Sequence, residues 1–222
     1  MNINFKSNPG IIKSKEDMFN DTYMNRLADL IVEEEYSFLL PFIRGFFYIT
    51  NENRYEKQYN MLKIRFPTEH SKCSMIHDIF IKWKPFEHYN MGECRGTFLE
   101  LLTFKLLNNK YSEDNVLRES RIIIGDYQSH TWDSIYYYKD ILNCYECKFS
   151  ISHLKRGNLD NMIGILKVNK NISLFIVTLD LKEDLLNDIY LLRGNTGVDV
   201  FRELINKFNY VTLEDFINGN PF

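Results

Sequence analysis

The chain lacks any apolar run approaching the roughly 18–20 residues that a bilayer-crossing helix needs, so no membrane span is expected. Its first fifteen residues are polar and carry no apolar h-region, which argues against a secretory signal and makes the cytoplasm the expected location. Cysteine is scarce, at 4 in 222 residues. A chain of this length buries a core without staples, so Cys73, Cys94, Cys144 and Cys147 are expected as buried thiols, not a disulfide framework. Cys144-Tyr-Glu-Cys147 has zinc-like spacing, but its surroundings are strand-like. Residues three apart on a strand face opposite sides, and the sequence holds no second such pair. Proline and glycine are few (5 and 10 residues), and no Pro/Gly/Ser-rich linker or fixed-period repeat divides the chain. A positive excess is missing too. With 27 basic against 30 acidic side chains, a globally basic nucleic-acid binder is excluded, although a local basic groove is not. No Gly-rich phosphate loop, HExxH or GxSxG motif occurs, so nothing supports an ATP motor, a zincin or a serine hydrolase.

What is present is an ordinary globular composition, 45% apolar and 26% charged. Charge divides it into three stretches. Residues 1–90 hold twelve basic and twelve acidic side chains, residues 91–178 eleven and ten, and residues 179–222 four and eight. This points to a helical N-terminal region over 1–90, a core over 91–179 and C-terminal helices over 180–222 packed on that core. In the first region Asp21 to Phe47 has helical periodicity, interrupted by Pro41, and Asn53 to Ile64 is a second helix closed by Pro67. The aromatics Phe42, Phe46, Phe47 and Tyr48 are expected in the core.

The middle carries more information. Gly92 to Asn109 is expected as a helix, with Phe98, Leu101, Leu102, Lys105 and Leu106 at helical spacing. Strands are expected over Val116–Ile124, Trp132–Tyr138 and Ile141–Ser150, then a helix over His153–Lys167 and a buried strand over Ile172–Leu179. Helices over Lys182–Leu192 and Val198–Phe208 end the chain.

A hairpin centred on Lys139-Asp140 pairs residues whose numbers sum to 279, which sets Asp133 opposite Glu146; Lys-Asp is not a favoured two-residue turn, and a loop lengthened asymmetrically would shift the pairing. Facing Cβ atoms in such a pair are about 4.5–5.5 Å apart. Lys148 shares the face of Glu146 because side chains alternate. Facing like charges cost stability, so a row of solvated charges is the bland explanation. Against it, Ile135, Tyr137, Cys144, Tyr145 and Phe149 are too apolar for a solvated strand. Two carboxylates from neighbouring strands are hard oxygen ligands suited to Mg²⁺. A lysine one strand step away can serve a water that attacks a phosphodiester.

Asp133, twelve intervening residues and then Glu146-Cys147-Lys148 resembles the D…(D/E)-x-K motif of the PD-(D/E)XK nuclease superfamily. That restriction-endonuclease-like fold has a core of helix, three strands, helix, strand, the order expected here from residue 92 to 179. The resemblance implies an α/β fold with a mixed sheet flanked by helices, here with a helical N-terminal layer. It implies Asp133, Glu146 and the Cys147 carbonyl as ligands of Mg²⁺ or Mn²⁺, Lys148 as the residue serving the attacking water, and Glu100 on the first core helix as an accessory acid. It departs at one point: Trp132, not proline, precedes Asp133. Asp126 is an alternative to Asp133, and Glu119 an alternative to Glu100. Near this set, His130 could touch phosphate or water, and Lys155 and Arg156, after His153, open a helix where a phosphate would suit. Tyr136-Tyr137-Tyr138 is expected to pack, not to stack on bases.

The expected activity is therefore metal-dependent hydrolysis of DNA in restriction, phage defence, mobile-element processing or repair. With no recognisable DNA-reading module, a homodimer or a partner protein is expected to supply specificity. Two rivals remain: an RNA-cleaving enzyme on the same core, and a non-catalytic nucleic-acid-binding or scaffolding subunit whose acids are structural. A helical interaction protein would instead expose an apolar patch at residues 36–48.

Overall fold

The computed structural model describes residues 3–33, 36–219 and 221–222. It is an α/β structure built on a mixed sheet. Strand β1 (Ile3–Ser7) leads into two short helices, α1 (Pro9–Ser14) and α2 (Glu16–Phe19), then α3 (Thr22–Val32), α4 (Leu40–Phe46), α5 (Glu52–Arg65), α6 (His70–Trp83) and α7 (Pro85–His88). The central helix α8 (Met91–Lys110) precedes β2 (Val116–Ile124), β3 (Tyr127–Gln128), β4 (Trp132–Tyr138) and β5 (Ile141–Lys148). Helix α9 (Arg156–Gly164), β6 (Ile172–Thr178), α10 (Lys182–Leu191), α11 (Val198–Ile205), β7 (Phe208–Val211) and α12 (Leu213–Ile217) complete it.

The sheet runs β1-β2-β4-β5-β6-β7, with β3 pairing only to β2. The β1/β2, β2/β4 and β4/β5 pairs are antiparallel, whereas β5/β6 and β6/β7 are parallel. Both sheet faces are covered, and alternation assigns the strand residues to two cores. On one face Tyr136, Tyr145, Cys147 and Val177 join the N-terminal helices and α8. On the other Ile135, Leu142, Cys144, Leu174 and Ile176 meet α9, α10 and α11. Helix α8 is buried nearly all round because α3 lies on one side of it and β2, β4 and β5 on the other.

The β4/β5 hairpin has the expected register, Ser134 facing Tyr145 and Tyr138 facing Ile141, so the turn is the two residues Lys139-Asp140. Lys139 makes that turn with φ +54°, a left-handed conformation that favours glycine. The four cysteines are free and buried, with Cys144 and Cys147 in opposite cores.

Several expectations need correction. Residues 1–90 are not wholly helical: β1 forms the sheet edge against β2. The stretch Asp21–Phe47 is not one interrupted helix. It comprises α3, a 3-10 turn at Ser37–Leu39 and α4, which Pro41 opens instead of ending; positions 34 and 35 of that stretch lie outside the described residues. Helix α6, absent from the sequence reading, buries Cys73, Ile76, Phe80 and Trp83. His153–Lys167 is helical only from Arg156, with a 3-10 turn at Ile165–Lys167. The C-terminal stretch is not purely helical either, since Phe208 begins β7. Phe46 and Phe47 are fully buried, which rules out the exposed patch at 36–48. Tyr48, however, is not core: it is 45% exposed. Among the described residues no helix is long and apolar enough to cross a membrane.

Candidate metal centre

The β4/β5 ladder stops at Ser134 and Tyr145, one residue short of Asp133 and Glu146. There the strands part. The Cys147 N–H donates to Asp133 Oδ2 at 2.7 Å, so a side chain replaces the missing ladder bond. On the other side of β4, Arg118 faces Ser134 and Ser120 faces Trp132, and Glu119 is the residue between them, level with Asp133. Glu119, Asp133 and Glu146 therefore occupy one row across three adjacent strands. Glu119 has φ +46°, an uncommon conformation for a residue with a side chain that costs on the order of 1–3 kcal/mol.

Helix α8 lies across this row. Thr97, Glu100 and Thr103 recur every three residues on its sheet-facing side, and all three are buried. Thr103 contacts the Cys147 sulfur at 3.5 Å. One carboxylate oxygen each of Glu100, Glu119 and Asp133 lie within 4.8 Å of one another. The fourth acid, Glu146, turns elsewhere. Its Oε1 accepts from Lys148 Nζ at 2.6 Å, and His130 Nε2 is 3.5 Å from its Oε2, an ion pair only when the ring is protonated and too long for a full-strength hydrogen bond. Lys148 also donates to the Cys147 carbonyl at 3.2 Å. Its side chain is 22% exposed, more enclosed than a lysine tip at a site mouth.

A residue outside every sequence motif completes the cluster. Lys15, between α1 and α2, donates to Glu100 Oε2 at 2.6 Å and Glu119 Oε1 at 2.7 Å. No local pattern marks it; only the pairing of β1 with β2 brings the N-terminal segment to α8. Below Lys15 a cavity of about 200 Å³ opens on Glu100, lined also by Ser14, Glu93 and Thr97. Wider clefts of about 550 and 500 Å³ lie against α3.

Electrostatics follow from this crowding. Burial, then the Glu146 and Glu100 carboxylates, push Asp133 well above the ordinary carboxylate range. Burial also raises Glu119 despite Lys15. Burial works the same way on Glu146, but His130 and Lys148 outweigh it and hold that carboxyl low. Burial alone would lower Lys148 and Lys15. The carboxylates around each dominate, chiefly Glu146 for Lys148 and Glu100 for Lys15, and keep both ammonium groups charged well beyond neutrality. Four carboxylates thus face two ammonium groups, an excess of negative charge in a poorly solvated space. Arg118 feels Glu119 and Glu100 but is stacked over Phe19 at 4.0 Å.

Of the other expected residues, Glu119 belongs to this cluster and His130 borders it at Glu146, while the rest lie apart. Asp126 is exposed beyond Gly125 and is no substitute for Asp133. Glu119 does not replace Glu100, because both are present. His130 packs at 4.1 Å on Trp132, with both ring nitrogens buried and unbonded among the described residues. His153 and Lys155 are exposed, and Arg156 turns to Asp160 and the Phe201 ring. Tyr136 stacks on Tyr111 at 3.9 Å and Tyr137 meets Phe5 at 5.1 Å, which is packing.

No protein-family model matches the chain, and no curated protein sequence matches it. Among solved structures, the crystal structure of protein VC1899 from Vibrio cholerae is similar with a TM-score of 0.43 and 12% identity, over 97% of this chain and 56% of that one. The chain spans little more than half of that protein's length, and the likeness carries no argument about activity.

Proposed function

We propose that the protein is a divalent-metal-dependent nuclease of the PD-(D/E)XK type, hydrolysing DNA phosphodiester bonds with Mg²⁺ or Mn²⁺. The observation that carries this reading is the row Glu119, Asp133, Glu146 where β4 and β5 part, with Lys148 beside it and Glu100 reaching in from α8. The order α8, β2, β4, β5, α9, β6 supports it, since helix, three strands, helix, strand is the restriction-endonuclease-like core.

The donors fit a hard divalent cation. All are oxygens, and a dication would favour the ionised form of Asp133 that burial and the neighbouring carboxylates oppose. Asp133 would hold it with Glu100 and Glu119, whose oxygens converge on one point, and Glu146 and the Cys147 carbonyl would join on releasing Lys148. When bound, Mg²⁺ supplies Lewis acidity to the scissile phosphate and acidifies the attacking water. Lys148, held in its charged form by Glu146, is a proton donor to hydrogen bonds and not a base. It orients the water and balances charge developing on the phosphate. Restriction, phage defence, mobile-element processing and repair are the settings that fold-level analogy offers, with specificity supplied by a homodimer or a partner protein.

A second reading draws on Lys15. Its bridge between Glu100 and Glu119 is also what a purely structural ion network contains, and would suit a non-catalytic nucleic-acid-binding subunit. Incubating the protein with plasmid, single-stranded DNA and RNA, each with Mg²⁺, Mn²⁺ or EDTA, separates the alternatives. Metal-dependent loss of DNA supports the nuclease, loss of RNA alone reassigns the substrate, and no cleavage of any substrate leaves the structural network.

A further inference from the structure

Tyr48 is anomalous among its neighbours. Phe46 and Phe47 are fully buried, Phe47 against Phe98 of α8 and Phe149 at the end of β5. The next ring, Tyr48, stays 45% exposed. Two guanidinium groups converge on it, that of Arg95 at 4.6 Å and that of Arg44 at 5.8 Å from the ring centroid. Each guanidinium is attracted to the ring face, but the two like charges repel each other across it, which offsets part of that gain. Arg44 is accounted for by its ion pair with Asp180, whose other oxygen fixes the chain after β5 through Ile151 N–H at 2.6 Å. Arg95 is not: among the described residues no carboxylate pairs with it, and its one hydrogen bond, to the Phe47 carbonyl, is 3.5 Å long.

The position matters as much as the composition. Tyr48 lies 6.0 Å from the Phe149 ring, and Phe149 directly follows Lys148. Arg95 precedes Glu100 by five residues on α8, a rise of roughly 7–8 Å along the helix axis. The exposed ring is thus linked through Phe149 to the end of the strand that carries Lys148, and the unpaired guanidinium stands on the same helix as Glu100, less than one and a half turns before it.

We propose that Tyr48 and Arg95 form a nucleotide-binding shelf for single-stranded nucleic acid, the ring stacking on an unpaired base and the guanidinium taking the adjoining phosphate. An aromatic face accepts any base, and a guanidinium matches phosphate oxygens in a bidentate fork. A duplex keeps its bases stacked inside and has nothing to offer the ring. The proposal rests on the phosphodiester reading only for the class of ligand; the shelf can bind whether or not the neighbouring acids catalyse.

The test is fluorescence anisotropy of labelled dT and rU oligonucleotides and of a DNA duplex, with full-length protein in EDTA and salt varied. Wild type should bind the single strands, and Tyr48→Ala should weaken them about 5- to 150-fold while Tyr48→Phe stays near wild type. Arg95→Gln should lower the salt slope by about one phosphate, roughly 0.7 in log–log form. Thermal melting of each variant checks the fold. Equal single-strand affinity for wild type and Tyr48→Ala overturns the shelf, as does an equal loss on single strands and duplex, or no binding by the wild type at low salt. Cleavage with Mg²⁺ is scored separately. A shelf that binds in a protein that never cuts would retire the nuclease reading alone, and cutting by a protein indifferent to Tyr48 would retire the shelf alone.

Discussion

Replacing Lys15 by methionine keeps most of the stem packing and removes one charge from between two buried carboxylates. Glu100 and Glu119 are 7% and 1% exposed, so the variant must hold an unpaired buried charge or protonate one of them. Breaking a buried ion pair from one side typically costs 3–5 kcal/mol. Protonation sets a ceiling: taking up a proton at pH 7 from an unfolded-state pKa of about 4.3 costs about 4 kcal/mol at 1.36 kcal/mol per pH unit. The loss at pH 7 should therefore be about 3–4 kcal/mol, which for a chain of this size lowers Tm by roughly 6–16 °C. The sign with pH follows from a carboxyl whose folded-state pKa lies above its unfolded value. Its penalty is absent below the unfolded pKa and grows as pH rises towards the folded one. At pH 5 the same ceiling is only about 1 kcal/mol, so the two proteins should nearly converge. Mn²⁺ should raise Tm more in Lys15→Met than in wild type, since the tethered competitor is gone. Melting curves in EDTA at pH 5 and pH 7, then with Mn²⁺, measure all of this. A Tm equal to wild type at pH 7, or a loss that does not change with pH, would show that Lys15 does not neutralise these acids.

Other substitutions probe the rest of the site. Asp133→Asn keeps the acceptor for the Cys147 N–H and replaces a carboxyl whose ionisation burial and its acidic neighbours oppose, so metal-free protein should gain on the order of 1 kcal/mol while losing its Mn²⁺-induced Tm shift; destabilisation in EDTA would contradict this. Because Asp133 titrates high, cation uptake should expel a proton and weaken on acidification, which calorimetry in two buffers of different ionisation enthalpy detects as a buffer-dependent heat. Lys148→Ala should cut the single-turnover rate by roughly 10²–10³-fold at saturating Mg²⁺, and wild-type turnover would remove Lys148 from the chemistry. At the hairpin turn, Lys139→Gly relieves a left-handed φ and should add about 0.5–1 kcal/mol, with denaturant melts as the check.

The parts of the molecule legible in the sequence are those whose signals are local. Strands β2 and β4 span the residues their β-branched and aromatic runs indicate, and the β4/β5 ladder follows the register of the two-residue turn as far as Ser134 and Tyr145. What stayed hidden is non-local. Lys15 enters the site only because β1, five residues long and mostly exposed, pairs with a strand more than a hundred residues later. Helix α8 is covered on both sides, so its periodicity could not reveal which side Glu100 faces. The left-handed φ of Glu119 leaves no trace in composition. Tyr48 directly follows two buried phenylalanines, and only packing separates it from them.

Whether the acidic row binds a catalytic dication is the central question. The most direct measurement is single-turnover cleavage of a labelled DNA substrate by wild type and Asp133→Asn, with Mg²⁺ and with EDTA, on samples whose melting curves show both proteins folded. Cutting by wild type in Mg²⁺ only, together with no cutting by Asp133→Asn at any Mg²⁺ concentration, is the expected outcome. Cleavage that persists in EDTA, or that Asp133→Asn retains at the wild-type rate, would contradict a metal centre at this row.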